Sequence, residues 1–430
     1  MTDVEQSAYR KIMTRVSAVL ALLIVVSSLD RVNISFAALR MNRDIGLSPS
    51  AYGFGAGLFF VSYLIFQLPS VSLLRRWGVR RWIALSVGGW GTVSVMMAFM
   101  TQPVHFYILR FMLGVFESGF APGVVWFVSR WLPQRYRGRS IGLTLLAVPT
   151  SVIIGGPLCG WLMSLGLFGL PGWRVMFVVL GSLTILIAVG TAAWFVDGPD
   201  RAPWLTEAER QWANQAISAE QVGVPSESLS LRRPFVWLAA IIWLALVTGA
   251  NALIFWLPSV ISAAGVADPL VVGLLNALPW VAIGLGMILN SRHSDLSGER
   301  FAHVRLATLL AAAGLAAAAG AGGGALSLVL LVVGSFGLGG AQSVFWTIPT
   351  RFLGAAGPAS IAFINLCGNT SSAVTPAIIG WAIESTGSPV IPVIGLSLLL
   401  LLAGVLTVPL QRTAPTRIAN EIVDDRRGGS

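Results

Sequence analysis

Four ionisable side chains stand inside long apolar stretches of the chain: Asp30 and Arg31 as neighbours, and Arg110 and Glu117 seven residues apart. Charge in such surroundings is costly, so each of these groups is a functional candidate. A guanidinium is a planar fork of N–H donors that matches a carboxylate, which suits Arg31 and Arg110 to an organic anion. The carboxyls of Asp30 and Glu117 can take up a proton on one side of a barrier and release it on the other. Arg110 and Glu117 share one helix face but stand about 10.5 Å apart along the axis, too far for a direct ion pair. Arg31 and Asp30 are then the obvious partners from another helix. Crossed ion pairs that only fix helix register are the alternative reading. Glu384 is a further acid, near the end of another apolar run.

The elements that position these groups are read from composition and length. Hydrophobic residues make up 55% of the 430-residue chain and charged residues only 11%, with a mean hydropathy of +0.79. A soluble chain would carry roughly a quarter charged residues. Apolar runs of bilayer-spanning length recur throughout, at about 16–39, 51–74, 82–101, 105–129, 140–166, 173–196, 235–257, 269–290, 303–323, 326–350, 359–383 and 391–410. The expected fold is an all-α membrane protein of about twelve transmembrane helices. The run after Arg10, Lys11 and Arg15 is interrupted by Asp30–Arg31 and resumes, which fits an uncleaved first span better than an export signal. The least distinct boundary lies in the Ala/Gly-rich stretch 311–325, where two spans nearly merge.

A polar segment at 197–234, with four prolines and mixed charge, separates two six-span halves. The expected organisation is a first bundle over 1–196, a linker over 197–234 with a helix near 205–220, a second bundle over 235–411 and a tail over 412–430. The halves echo each other, with RRWGVRR (75–81) after the second span and HSDLSGER (293–300) after the eighth. Parallel repeats produce such an echo.

The net charge of +10 does not signal a nucleic-acid partner, because the basic residues sit in short clusters between apolar runs. That is the positive-inside pattern, and it predicts both termini in the cytoplasm of a cell whose inner membrane holds the protein. On the external side it leaves only Arg40, Arg43 and Arg174. Cys159 and Cys367 lie in apolar, Gly-rich segments with no metal or redox spacing, so they read as packing residues. The Gly-rich stretches 53–57, 154–160 and 334–340 lack a phosphate-binding lysine and read as sites of close helix packing. There is no Walker sequence for ATP-driven transport, and His105, His293 and His303 have no metal spacing. No cofactor is expected.

The second half offers neutral polar groups instead of charges, among them Asn251, Asn276, Gln342, Asn365, Asn369, Ser371, Ser372 and Thr375. Asn365 and Asn369 share a helix face. Such residues serve a cavity or bond across to neighbouring helices. Trp256, Phe345 and Trp346 are candidates for its walls.

Several segments together carry a family resemblance: LDRVNISFAAL (29–39), GFGAGLFFVSYLIFQLPS (53–70), RFMLGVFESGFAPG (110–123), GWRVMF (172–177), WLTEAER (204–210), FWLPSVI (255–261), GMILNSRHSDLSGER (286–300), FWTIPTRFL (345–353) and INLCGN (364–369). The chain resembles the major facilitator superfamily, in the anion:cation symporter branch with tartrate, phthalate and hydroxyphenylacetate permeases. The resemblance implies two pseudo-symmetric six-helix bundles with a central site worked by rocking. It places Arg31 and Arg110 on the anion side of that site and Asp30 and Glu117 at positions linked to proton coupling. Tyr63 and Asn369 match cavity-lining positions, and Asn365 and Trp346 join them as candidates. Arg76, Gly78 and Arg80 in one loop, and Asp295, Gly298 and Arg300 in its counterpart, match gating motifs. The chain departs from the pattern at Arg75, where the loop usually has an Asp, and at Leu296, Arg351 and Asn251.

The function expected is proton-coupled import of an organic carboxylate by a monomeric carrier, with a drug or metabolite exporter working by proton antiport as the alternative. A buried carboxylate serves sodium as well as protons, and the anion class stays open among sugar acids, dicarboxylates and aromatic acids. An enzyme would need a nucleophile with its base or a metal cluster, and the sequence presents neither.

Overall fold

A computed structural model describes residues 3–167, 169–218, 233–353 and 358–414, without the side chains of 138, 141–146 and 358. Residues 219–232 of the linker and 415–430 of the tail, with Arg232, Arg417, Arg426 and Arg427, lie outside the described residues. The helices are α1 (Asp3–Ile12), α2 (Ala18–Ile45), α3 (Pro49–Trp77), α4 (Val79–Met97), α5 (Pro103–Glu117), α6 (Phe120–Trp131), α7 (Gln134–Ser164) and α8 (Gly172–Trp194). They continue with α9 (Glu207–Ser218), α10 (Pro234–Ala263), α11 (Pro269–Ser297), α12 (Phe301–Gly320), α13 (Gly324–Phe345), α14 (Thr347–Leu353), α15 (Pro358–Thr386) and α16 (Val390–Arg412). Counting α5–α6 and α13–α14 as one span each, and setting aside α1 and α9, each of the twelve expected spans has its helix. Ten helical stretches among the described residues are long and apolar enough to cross a membrane. The other two are α4, with Arg80 and Arg81 in its first turn, and α15, rich in Ser, Thr, Asn and Gly.

The ends of the helices follow from local sequence. Ser48 accepts a hydrogen bond from the Ala51 N–H at 3.2 Å and Pro49 opens α3, the side-chain cap and pre-set φ that start a helix. Gly46, at φ 72°, stops α2 in the left-handed conformation, as helix C-termini commonly do. In the Ala/Gly-rich stretch the two spans stay distinct, because Gly322, Gly323 and Gly324 all take positive φ. That backbone turn separates α12 from α13.

Two expected spans are not continuous helices. The fourth breaks at Ser118–Gly119, between α5 and α6, and the tenth breaks at Trp346, between α13 and α14. At the first break Ser118 donates back to the Val115 carbonyl at 2.8 Å, and such back-bonding competes with the helix ladder. Gly119 also lies so close to Ser70 that a Cβ there would collide with the Ser70 side chain.

The chain forms two compact units, Met1–Gly223 with Ile254–Ala277, and Val224–Leu253 with Leu278–Ser430. In the first, α2 packs on α7, α3 on α5 and α4 on α8. Small residues permit the close approaches: a Cβ at Gly114 of α5 would strike Ser62 and the Phe59 carbonyl of α3, and one at Gly181 of α8 would lie 2.7 Å from the Val95 nitrogen of α4. In the second unit α12 packs on both α13 and α16, and a Cβ at Gly337 would lie 2.5 Å from the Ala307 carbonyl oxygen. The glycine-rich stretches 154–160 and 334–340 thus serve backbone approach, as small residues do between membrane helices. Large apolar side chains such as Leu68 and Leu186 point outward, 79% and 68% exposed, as lipid-facing residues must.

Candidate functional site

Within the first unit, α2 carries Ser27 and Arg31 on one face, four residues apart. Both reach Glu117, the last residue of α5. Arg31 donates to Glu117 Oε1 from Nη2 at 2.5 Å and from Nε at 3.0 Å, and Ser27 Oγ donates to the same oxygen at 2.6 Å. Glu117 is fully buried, and its second oxygen, Oε2, has no hydrogen-bond partner. The Arg31 guanidinium also lies 5.6 Å from the centre of the Phe59 ring and 5.7 Å from that of Tyr63. Arg31, Glu117 and Tyr63 therefore converge.

Asp30 engages different neighbours. Its Oδ1 accepts from Asn33 Nδ2 at 3.0 Å and from Ser94 Oγ of α4 at 3.2 Å, while Oδ2 has no partner. Consecutive helix residues point about 100° apart, so Asp30 and Arg31 cannot both face α5. The expected pairing of Asp30 with Arg110 is not made.

Arg110 is the outlier. It is completely buried, and its guanidinium stacks on Phe59 at 4.8 Å. Its one hydrogen bond is a long one, from Nη2 to the Ala56 carbonyl at 3.4 Å; Nε and Nη1 have no partner. A buried charge without a counter-ion costs several kcal/mol. Phe59 thus lies beneath both arginines, one paired with an acid and the other open.

The structure also accounts for a motif outside this cluster. In GWRVMF, Trp173 Nε1 donates to Asp44 at 2.7 Å, and Arg174 donates to the carbonyls of Ala98 and Met100 that follow α4. Arg174 acts as a structural cap there.

In the second unit the polar residues largely satisfy one another. Asn251 donates to Ser372 at 2.8 Å and Gln342 to the Leu246 carbonyl at 3.0 Å. Trp346, at the break between α13 and α14, packs on Trp243 at 4.8 Å between ring centres. Asn369 is half-buried and Asn365 exposed on α15, and Arg351 is exposed at the end of α14. In the loop pair, Gly78 takes φ 79° and the Val79 N–H donates to Asp197 at 2.7 Å, with Arg76 and Arg80 exposed on either side. In the counterpart loop Arg300 pairs with Asp295 at 2.7 Å around Gly298, at φ 69°.

Sequence reasoning passed over Ser27, Asn33, Phe59 and Ser94. Ser27 and Asn33 lie three residues either side of Asp30, a helical spacing that could have flagged them. Ser94 and Phe59 carry no such signal, because only packing brings α3 and α4 to α2. Among the described residues no cluster of three or more His, Cys, Asp or Glu is disposed to hold a metal ion.

The sequence profile of the Major Facilitator Superfamily matches residues 20–376. The chain belongs to this superfamily. It is 41% identical to a protein of Agrobacterium vitis named "Putative tartrate transporter", over 97% of this chain and 95% of that one. It is 34% identical to a "Quinolone resistance transporter" of Acinetobacter baumannii, over 94% and 95%. Among solved structures, a bacterial homolog of the human lysosomal transporter Spinster shares the fold with a TM-score of 0.74 at 15% identity, covering 94% of this chain and 97% of that one. A D-xylose-proton symporter does so with a TM-score of 0.71 at 16% identity, over 92% and 97%. This member of the superfamily is a multi-pass membrane transporter of two pseudo-symmetric six-helix bundles, and not an enzyme.

Proposed function

We propose that the protein imports an organic carboxylate together with protons, with Arg110 as the seat of the anion. The observation that carries this reading is the buried Arg110 guanidinium, with two nitrogens unpartnered, sharing the Phe59 ring with the closed Arg31–Glu117 pair. A carboxylate supplies the acceptors that Arg110 lacks. Protonation of Glu117 removes the charge that holds Arg31, so Arg31 becomes a second donor fork for the anion. Asp30, with one free carboxyl oxygen, is the second proton acceptor. The four charges sum to zero, so a dianion entering with two protons leaves the site neutral, which avoids the cost of net charge in a low-dielectric space.

Relatives named as tartrate transporters favour a carboxylate as the cargo. In the second unit Trp346, Asn365 and Asn369 are the further candidate residues for the cargo, offering neutral hydrogen bonds and an aromatic wall. The loops bearing Arg76, Gly78 and Arg80 and bearing Asp295, Gly298 and Arg300 serve as the gates. The basic loops set both termini in the cytoplasm of a cell with the carrier, a monomer, in its inner membrane. The test is uptake of tartrate and other sugar acids into proteoliposomes with an imposed proton gradient. Uptake indifferent to the gradient, but driven by sodium, would replace the coupling ion. Proton-driven extrusion of a drug is the second reading, favoured by the relative named for quinolone resistance. It predicts resistance on expression with no carboxylate uptake.

A further inference from the structure

A second basic site lies in the first unit, apart from Arg110. A cavity of about 300 Å³ is lined by Arg75, Arg76, Trp77, Arg130, Asp197 and Arg201, among others. Its arginines come from the last turns of α3 and α6 and the segment after α8. A basic residue in a last turn complements the helix dipole, which explains any one of them singly. It does not explain their convergence on one cavity.

The acids of the cavity are already engaged. Asp197 accepts the Val79 N–H at 2.7 Å and stands 3.9 Å from Arg201, and Asp200 stands 3.8 Å from the same arginine. Arg75, Arg76 and Arg130 are left exposed with no acidic partner among the described residues. Arg130 lies over the Trp126 ring at 5.2 Å, which fixes its position. Trp77, 48% exposed, stands at the rim, and tryptophans of this kind mark headgroup depth in a bilayer. Arg75 is also the residue at which this loop departs from an acidic pattern.

We propose that this cavity binds a phosphate group, and that its occupant is the headgroup of an anionic phospholipid of the adjacent leaflet. Guanidiniums bind phosphate oxygens bidentately, and basic pockets between membrane helices hold anionic headgroups. The wall of exposed apolar side chains on α3, Leu68 and Ile65 among them, offers room for the acyl chains about two and three turns from Arg75.

The experiment is lipid titration of the purified full-length protein, read by native mass spectrometry and by thermal melting. Phosphatidylglycerol, phosphatidylcholine and inorganic phosphate are the three probes. Phosphatidylglycerol is expected to bind and protect, and phosphatidylcholine to do so weakly. Arg75→Gln with Arg130→Gln is expected to weaken phosphatidylglycerol by roughly five-fold per arginine. Arg76→Gln alone gives an independent reading if the double variant folds poorly. Arg10→Gln removes an exposed charge outside the cavity and is expected to change nothing. Equal binding of the two lipids, or equal loss in Arg10→Gln, overturns the site. Protection by inorganic phosphate with none by phosphatidylglycerol overturns the lipid as the occupant.

Discussion

Arg31 holds Glu117 through two nitrogens on one carboxylate oxygen, at 2.5 and 3.0 Å, and Ser27 donates to that same oxygen. The second oxygen of Glu117 is left without a partner inside a fully buried site. The pair is therefore closed on one side and open on the other. On the proposed reading that open oxygen is where a proton would bind, and its arrival would release Arg31.

Glu117→Gln tests that step. Gln keeps the shape and can still accept from Ser27, but it cannot hold a guanidinium by charge. A hydrogen bond to a charged group contributes about 1.5–3 kcal/mol, so proton-driven accumulation is expected to fall by roughly ten-fold or more. Exchange of labelled for unlabelled substrate, which needs no net proton movement, is expected to persist. Loss of exchange together with accumulation would show that Glu117 binds the anion's site together and does not act through the proton.

Arg110→Met separates binding from stability. The guanidinium has no counter-ion and two unpartnered nitrogens, so its burial is a cost to the fold of several kcal/mol. Replacing it by an apolar side chain of similar length is expected to leave the melting temperature of the substrate-free protein unchanged or higher. Substrate protection against melting is expected to disappear. A melting temperature lowered by many degrees would mean that Arg110 is a structural residue.

Asp30→Asn is a milder change. Ser94 can still donate to the side-chain oxygen, so folding is expected to survive. A site that loses one of its two proton acceptors should carry fewer protons per anion, read as a shallower dependence of accumulation on the imposed pH difference. An unchanged proton stoichiometry would restrict Asp30 to a packing role.

The twelve spans were legible in the sequence because apolar length is dictated by the bilayer, whatever the tertiary packing. The four charged residues were legible for the same reason, since each stands out against its own surroundings. Their pairing was not. Which of Asp30 and Arg31 faces α5 depends on the rotation of α2, and a helix that is apolar nearly all round carries no periodic mark of its orientation. The breaks at Ser118–Gly119 and Trp346 were missed although each has a written sign: Pro122 and Pro349 stand four residues after Ser118 and Phe345 and have no N–H to return to those carbonyls. The Arg31–Phe59–Arg110 stack depends on α3 reaching both arginines, a contact that no spacing along one segment records.

Glu209 gives a pH-dependent test outside the membrane spans. It completes a capping box with Thr206 at the start of α9, at 2.8 and 3.3 Å, and also takes Lys11 at 2.8 Å and Ser7 at 2.6 Å from α1. Burial pushes its carboxyl up, but the hydrogen bonds from Lys11, Ser7 and Thr206 outweigh this and hold it down at about 2. The unfolded value is near 4.3. A depressed folded pKa adds stability that is complete above the unfolded value and is lost as pH falls towards the folded one. Glu209→Gln is expected to cost about 1 kcal/mol, in the range of a lost cap. The difference in melting temperature from the parent should be constant from pH 7 to 5 and shrink below about pH 4. A difference that grows on acidification would contradict the assignment.

Gly114→Ala probes the seat of the site mechanically. A Cβ at Gly114 would collide with Ser62 Oγ and with the backbone carbonyl of Phe59. The hydroxyl can rotate away, but the carbonyl is part of α3 and cannot. The added methyl must therefore push α5 off α3, and such overpacking typically costs 1–3 kcal/mol, here expected to be about 2 kcal/mol. The displacement acts where Phe59 stacks on Arg110 at 4.8 Å and on Arg31 at 5.6 Å. Substrate affinity is then expected to fall by more than the thermal destabilisation alone explains, in a residue that touches no charge itself. Gly190→Ala on α8, where a Cβ would meet nothing within 4 Å, is the control and should change neither quantity. If Gly114→Ala binds substrate like the parent, the α3–α5 contact does not set the spacing of the two arginines.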